Sequence, residues 1–172
     1  MSSRPALTRS VRLVVCGVIA ALLAVLAFAG AAFADEADTP AAAEKKELVE
    51  GTPCALDTIA CVAVKDSLAW LIKEGEVVHG PVKISTGGPG KETPLGSHVV
   101  QWKNKNHKSG EFKTPDGQPS PMPYAVFFAE GGIAFHEGKL ARQSSGCVRL
   151  RMKDAQEFYD FLKLGDKVEV VA

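Results

Sequence analysis

The chain has 172 residues, with 20 Lys+Arg against 20 Asp+Glu and a formal net charge of zero. That length points to one domain, and the balanced charge excludes an electrostatic pull toward nucleic acid.

The first 34 residues differ from the rest. Arg4, Arg9 and Arg12 precede an uncharged run from Leu13 to Ala34, and Ala32-Phe-Ala34 supplies the small residues of an A-x-A cleavage site. Residues 1–34 therefore read as a secretory signal peptide. The alternative is an uncleaved anchor, since the apolar run is long enough to span a bilayer. Cys16 lies within it, behind Val15 rather than the small residue of a lipoprotein signal, and would leave with the signal. Removal of the three arginines leaves 17 Lys+Arg against 20 Asp+Glu, a mild −3. Residues 35–52 are rich in Ala, Glu and Lys and poor in large apolar residues, so they read as a flexible spacer. Residues 53–172 form the folded part.

Cys54 and Cys61 are seven residues apart, and outside the cytoplasm such a pair is expected to form a disulfide. Of the three cysteines left after cleavage, Cys147 is then the odd one, a reactive thiol. A zinc site built on His79, His98, His107 or His136 lacks tight ligand spacing, so no metal is expected. Cys61–Val64, Ser67–Ile72 and Val77–Ser85 read as strands, with Lys73–Glu76 as a hairpin turn. Gly87-Gly-Pro-Gly90 marks a loop; no Gly-Lys-Ser/Thr follows, which excludes a nucleotide phosphate loop. Gly96–Trp102 is another strand. Lys103–Pro123 is long, polar and broken by Gly and Pro, and reads as a loop whose lysines Lys103, Lys105 and Lys108 could meet an anionic polymer.

Tyr124–Phe128 is apolar and leads into the strand Gly132–His136. Alternation there puts Ile133 and Phe135 on one face and Ala134 and His136 on the other. Glu137–Gly146 is polar and can return the chain. Cys147–Met152 is a second arm, with Val148, Leu150 and Met152 apolar and Cys147, Arg149 and Arg151 on the opposite face. Ala155, Phe158, Tyr159 and Leu162 fall at helical spacing over Asp154–Leu162, Gly165 stops that helix, and Lys167–Val171 alternates as a last strand. The sum is a mainly β fold: a mostly antiparallel, layered β-sheet domain with one C-terminal helix.

His136 and Cys147 could meet at the open end of two neighbouring strands. An imidazole beside a thiol can take its proton, and the thiolate is the nucleophile. Gly146 permits close approach of backbone to substrate, and the N–H groups around Gly146 and Cys147 could stabilise an oxyanion.

Ser144-Ser-Gly-Cys-Val-Arg-Leu150, preceded by Gly131-Gly-Ile-Ala-Phe-His136, resembles the active-site signature of the L,D-transpeptidase catalytic domain family (YkuD-type). Ile84-Ser-Thr-Gly-Gly-Pro-Gly-Lys-Glu-Thr-Pro-Leu-Gly-Ser-His-Val-Val100 is similar to the family's STG…TPxG segment, and Pro121-Met-Pro-Tyr124 also fits. The resemblance runs from about Cys61 to Val171. One position departs: Ser145 stands where the family often has His, so that histidine's side-chain role does not carry over.

The resemblance implies an exported enzyme acting on peptidoglycan stem peptides, with no cofactor. Cys147 would attack the third residue of a stem tetrapeptide and release the terminal D-Ala. An acceptor amine would resolve the thioester, giving a cross-link between third residues. His136 would be the base, oriented by the backbone carbonyl of Glu137. Gly146 and Cys147, with Ser145, would supply oxyanion N–H groups. Arg149 would hold the cysteine loop or a substrate carboxylate. A lid would lie over Lys103–Pro123; Tyr124 reads either as lining the cleft beside it or as core packing. Membrane contact is implied only through an uncleaved signal segment. Two alternatives stay open: an L,D-carboxypeptidase, in which water resolves the same thioester, and an inactive wall-binding module. Papain-like peptidases place Cys before His in the chain, the reverse of the order here.

The exported protein is expected to begin at Asp35. N-terminal sequencing of the wall-associated fraction checks this, and an intact Met1 in the membrane fraction would identify the anchor instead.

Overall fold

The computed structural model describes residues 46–172. The signal-peptide reading and most of the spacer fall outside the described residues. Within them, one helix and nine strands make two sheets. The five-stranded sheet has the order β3 (Glu76–Lys83), β2 (Leu68–Lys73), β1 (Ala60–Ala63), β9 (Lys167–Val171), β4 (Gly96–Val99). The four-stranded sheet runs β5 (Trp102–Lys113), β6 (Pro119–Ala129), β7 (Ile133–Glu137), β8 (Val148–Leu150). Pairing is antiparallel except for β1–β9 and β7–β8, so the mainly β, mostly antiparallel expectation holds.

The core lies where the apolar faces of the two sheets and the helix α1 (Met152–Phe161) meet. Val62, Leu71, Val168 and Val170 come from the first sheet, Val126, Phe128, Phe135, Val148 and Leu150 from the second, and Phe158 and Leu162 from the end of the helix. Phe135 is the hinge of an aromatic row, with its ring centroid 4.7 Å from Phe128 and 5.1 Å from Phe158. The last carbonyls of a helix lack intrahelical donors. Here the Lys103 ammonium donates to the Leu162 carbonyl at 2.6 Å and lies 4.4 Å over the Tyr159 ring.

Several boundaries shift for physical reasons. Lys103–Pro123 is not a loop but most of a long β5–β6 hairpin. Proline disqualifies a central strand because it removes a ladder donor. Pro119, Pro121 and Pro123 alternate, however, so all three share one strand edge, and β7 pairs with β6 only from Val126 onward. Opposite Pro123, the Asn106 N–H donates to its neighbour Asn104 Oδ1 at 3.0 Å. Met152 does not extend the apolar face of β8; it opens α1 and is 47% exposed. The helix accordingly begins two residues before Asp154. Residues 47–52 are folded rather than part of the spacer: Leu48 bridges Ala55, and Val49, only 1% exposed, packs with Cys54, Cys61, Trp70 and Ile72. One apolar residue suffices because a disulfide joins Cys54 to Cys61 and pins the strap to β1.

Glu169 of β9 fastens the same strap. Its buried carboxylate accepts the Ala55 N–H at 2.8 Å and the Thr58 hydroxyl at 2.7 Å, and pairs with Lys46. Burial alone would push this carboxyl upward, but Lys46 and the two hydrogen bonds outweigh it and hold the pKa below the usual value. The contribution to stability is therefore complete above the ordinary glutamate pKa and fades as pH falls through the lowered one. Glu169→Ala strands two buried donors and should cost about 2–3 kcal/mol in urea denaturation, whereas Glu169→Gln, which keeps an acceptor, should cost less.

Candidate active site

The site is built on the outer face of the four-stranded sheet. The parallel β7–β8 register pairs Phe135 with Val148 and His136 with Arg149. Phe135 and Val148 thus point into the core, while Ala134 and His136 share the outer face with Cys147. Cys147 packs in a small apolar cluster of Met122, Ala125, Phe127 and Ala134. His136 and Cys147 line one cleft of about 620 Å³.

His136 is 7% exposed, with Nδ1 2.6 Å from the Glu137 carbonyl oxygen. A carbonyl only accepts, so Nδ1 carries the proton and Nε2 is the free acceptor of the neutral ring. Burial pushes the imidazole pKa down to about 4, against the Glu137 carbonyl, which raises it; Arg149 and His107 lower it further. Burial likewise pushes the Cys147 thiol up, opposed by the Ala134 backbone and Arg149. The thiol donates to the Gly132 carbonyl at 3.7 Å. At neutral pH the resting pair is therefore a neutral imidazole and a neutral thiol. Cys147 is the one free cysteine among the described residues.

The turn before Cys147 is held by buried hydroxyls. Ser144 Oγ accepts the Gly146 N–H at 3.1 Å and donates to the Cys147 carbonyl at 2.5 Å. Thr93, 2% exposed, donates to the Gly146 carbonyl at 2.8 Å and accepts the Gly87 N–H at 3.0 Å. The segment after β3 runs alongside: Ser85 and Arg149 exchange backbone hydrogen bonds, Ser144 N–H donates to Thr86, and Gly88 N–H donates to Ser144. Gly87 must be glycine, since a Cβ there would lie 1.9 Å from the Lys91 carbonyl oxygen. Gly146 sits at φ +113°, where a Cβ would come within 2.5 Å of Ile133 Cδ1.

Two sequence expectations are corrected here. The Gly146 N–H points to Ser144 Oγ and is not an oxyanion donor. The N–H groups of Ser145 and Cys147 have no acceptor among the described residues and remain available. Tyr124 does not line the cleft. Its φ of +56° interrupts the alternation of β6, so its ring lies against α1, where the hydroxyl accepts from Gln156 Nε2 at 2.6 Å and the ring meets Tyr159 edge-on. Met122 before that break and Phe127 after it face the cleft instead. Lys105 follows Tyr124, 5.3 Å over its ring, and Lys103 caps α1, so neither serves the cleft.

Arg149 lines the cleft and donates through Nη1 to the carbonyls of Arg142 and Gln143 at 3.3 and 3.4 Å, bracing the return loop. The hairpin tip from Ser109 to Thr114 overhangs the opposite wall. Trp102 stacks on Phe127 at 3.6 Å, with His107 edge-on to both, in residues whose role the sequence did not suggest. Thr93 and Ser144 were also missed; both lie in the motifs, but Thr93 acts on Gly146, 53 residues away, and Ser144 acts through the turn it closes on Gly146 and Cys147. The other histidines disperse, His79 against Asp154 and His98 on the Pro94 carbonyl. Among the described residues no three His, Cys, Asp or Glu side chains are grouped to hold a metal ion.

Residues 57–170 match the L,D-transpeptidase catalytic domain. Two curated Mycobacterium tuberculosis proteins are similar. Probable L,D-transpeptidase 3 is 29% identical over 104 residues, covering 53% of this chain and 38% of the relative. L,D-transpeptidase 1 is 25% identical over 139 residues, covering 73% and 55%. The chain thus spans about half the length of these relatives or less. The crystal structure of M. tuberculosis L,D-transpeptidase 1 superposes with a TM-score of 0.56 at 26% identity, covering 66% of this chain and 60% of that one. An L,D-transpeptidase from Stackebrandtia nassauensis superposes at 0.60 with 23% identity, covering 77% and 62%.

Thr93→Val keeps the shape but removes both hydrogen bonds. It should cost about 1–3 kcal/mol in chemical denaturation. It should also slow alkylation of Cys147 by a substrate-sized electrophile more than by iodoacetamide, and Thr93→Ser should restore most of the loss.

Proposed function

The chain belongs to the L,D-transpeptidase catalytic domain family, and from that premise we propose that it is an exported peptidoglycan L,D-transpeptidase acting outside the cytoplasm. The observation that carries the reading is the 2.6 Å hydrogen bond between His136 Nδ1 and the Glu137 carbonyl. The Nδ1–H is committed to that carbonyl, which leaves a neutral Nε2 as acceptor in the cleft that Cys147 also lines.

Nε2 takes the Cys147 proton as Sγ attacks the carbonyl of the third stem residue. The tetrahedral oxyanion is met by the Ser145 and Cys147 N–H groups, which spend no donor on the protein itself. Collapse breaks the amide bond, and the imidazolium returns the proton to the departing D-Ala amine. The thioester on Sγ then meets an amine of a neighbouring stem. Nε2 removes its proton, the new amide forms, and Cys147 leaves as thiolate and is reprotonated.

The raised thiol and lowered imidazole set the pH behaviour. The base stays neutral down to a pH near its value of about 4, so acylation should hold its rate well below pH 6.5. The thiol, pushed up by burial, forms little thiolate unaided at neutral pH, so the base is needed.

Intact-mass spectrometry with a tetrapeptide muropeptide and with a carbapenem tests the assignment. Cys147→Ala should carry no adduct and give no turnover while remaining folded. His136→Ala should acylate about 100-fold or more slowly at neutral pH and recover only above the ordinary thiol range. An unchanged adduct in Cys147→Ala would identify a different nucleophile.

A further inference from the structure

The two walls of the cleft differ in character. On the hairpin side stand the stacked Trp102 and Phe127, with Met122 behind them, an apolar surface. On the side of the His136–Cys147 return loop stand Lys139, Arg142 and Arg149, and Lys113 reaches in from the hairpin tip. Against these four cations the lining holds one carboxylate, Glu111. A chain with no net charge has concentrated one sign at this mouth.

These cations are not equivalent. Arg149 is spent on the Arg142 and Gln143 carbonyls. Lys139 and Arg142 are exposed, and among the described residues neither has a carboxylate within ion-pairing distance; the pairs present are Lys46–Glu169, His79–Asp154 and Lys167–Asp57. The Arg142 backbone is nevertheless fixed, because its carbonyl accepts the Ser85 hydroxyl at 2.7 Å as well as the Arg149 guanidinium. A guanidinium on a rigid root, beside an ammonium, is prepared for a carboxylate or another planar anion.

We propose that Lys139 and Arg142 are specificity-determining residues that select stem peptides with free side carboxylates over the same peptides with those groups amidated. The inference rests on the acyl-transfer reading of Cys147 and names the charge state of the substrate. An anionic stem fits with its carboxylates toward the return loop and its aliphatic parts against Trp102 and Phe127. An amide keeps the shape and one acceptor oxygen, but it turns the other oxygen into an N–H donor facing the donors of Lys139 and Arg142 and loses the charge attraction.

The test compares two synthetic tetrapeptide donors that differ only in free or amidated side carboxylates, read as Cys147 acylation by intact mass at several salt concentrations. At low salt the wild-type protein should favour the free acid about tenfold in kcat/KM, mostly through KM, which corresponds to about 1.4 kcal/mol. The ratio should shrink as salt rises. In Lys139→Gln/Arg142→Gln the ratio of the two donors should fall toward one, while Lys139→Arg should retain most of it. Equal rates for both donors in the wild-type protein, or an unchanged ratio in the double variant, would overturn the selection while leaving the acyl-transfer reading intact. No adduct from either donor would overturn both.

Discussion

The site depends on a parallel pairing. Because β7 and β8 run the same way, the chain between them must travel back along the sheet, and its return loop is left outside the ladder. Residues 138–147 therefore have backbone groups that no strand satisfies. The structure meets them with hydroxyls and a guanidinium: Ser85 and Arg149 on the Arg142 carbonyl, Ser144 on Gly146 and Cys147, Thr93 on Gly146. Buried backbone groups must be partnered, so these side chains dictate the path of the loop. The N–H groups of Ser145 and Cys147, unpartnered among the described residues and set in the cleft lining, are where an anion would be received.

The same burial governs the chemistry. His136 and Cys147 stand at the border between an apolar cluster and the cleft, and desolvation opposes charge on both. An ion pair at rest would store the thiolate in advance. In the proposed acyl transfer a neutral pair would develop charge only as the thiol attacks, when the waiting Ser145 and Cys147 N–H groups would gain most. The Glu137 carbonyl fixes the tautomer that makes this possible, by geometry and without a carboxylate.

Much of this was legible in the chain. The alternation in Ile133–His136 and Cys147–Leu150 places both reactive residues on one face because a strand has a fixed period of two, and the matched family model and superposed folds agree with the architecture. What the sequence hid was non-local or went against a local rule. Three prolines concealed β6, because their common edge is visible only once β7 is seen to end short of them. Tyr124 looked like a cleft residue until its left-handed backbone turned it to the helix. Thr93 and Ser144 sat in plain view within recognised motifs, but their roles need partners 53 residues away in one case and a backbone turn in the other. Gly146 shows the limit of residue-type reasoning: glycine there does satisfy a conformational demand, yet its N–H is consumed by the turn it permits.

The order of the five-stranded sheet has a consequence for biogenesis. β9 is last in sequence but lies between β1 and β4, with Glu169 holding the strap that precedes β1. Until those residues have been synthesised, β1 lacks one neighbour, β4 has no partner in the sheet, and the apolar side chains Val168 and Val170 are missing from the core. A nascent chain stopped at α1 therefore cannot close its sheet, however long it waits on the ribosome. Such a topology postpones closure of the sheet, and of the core beneath it, until β9 has been synthesised.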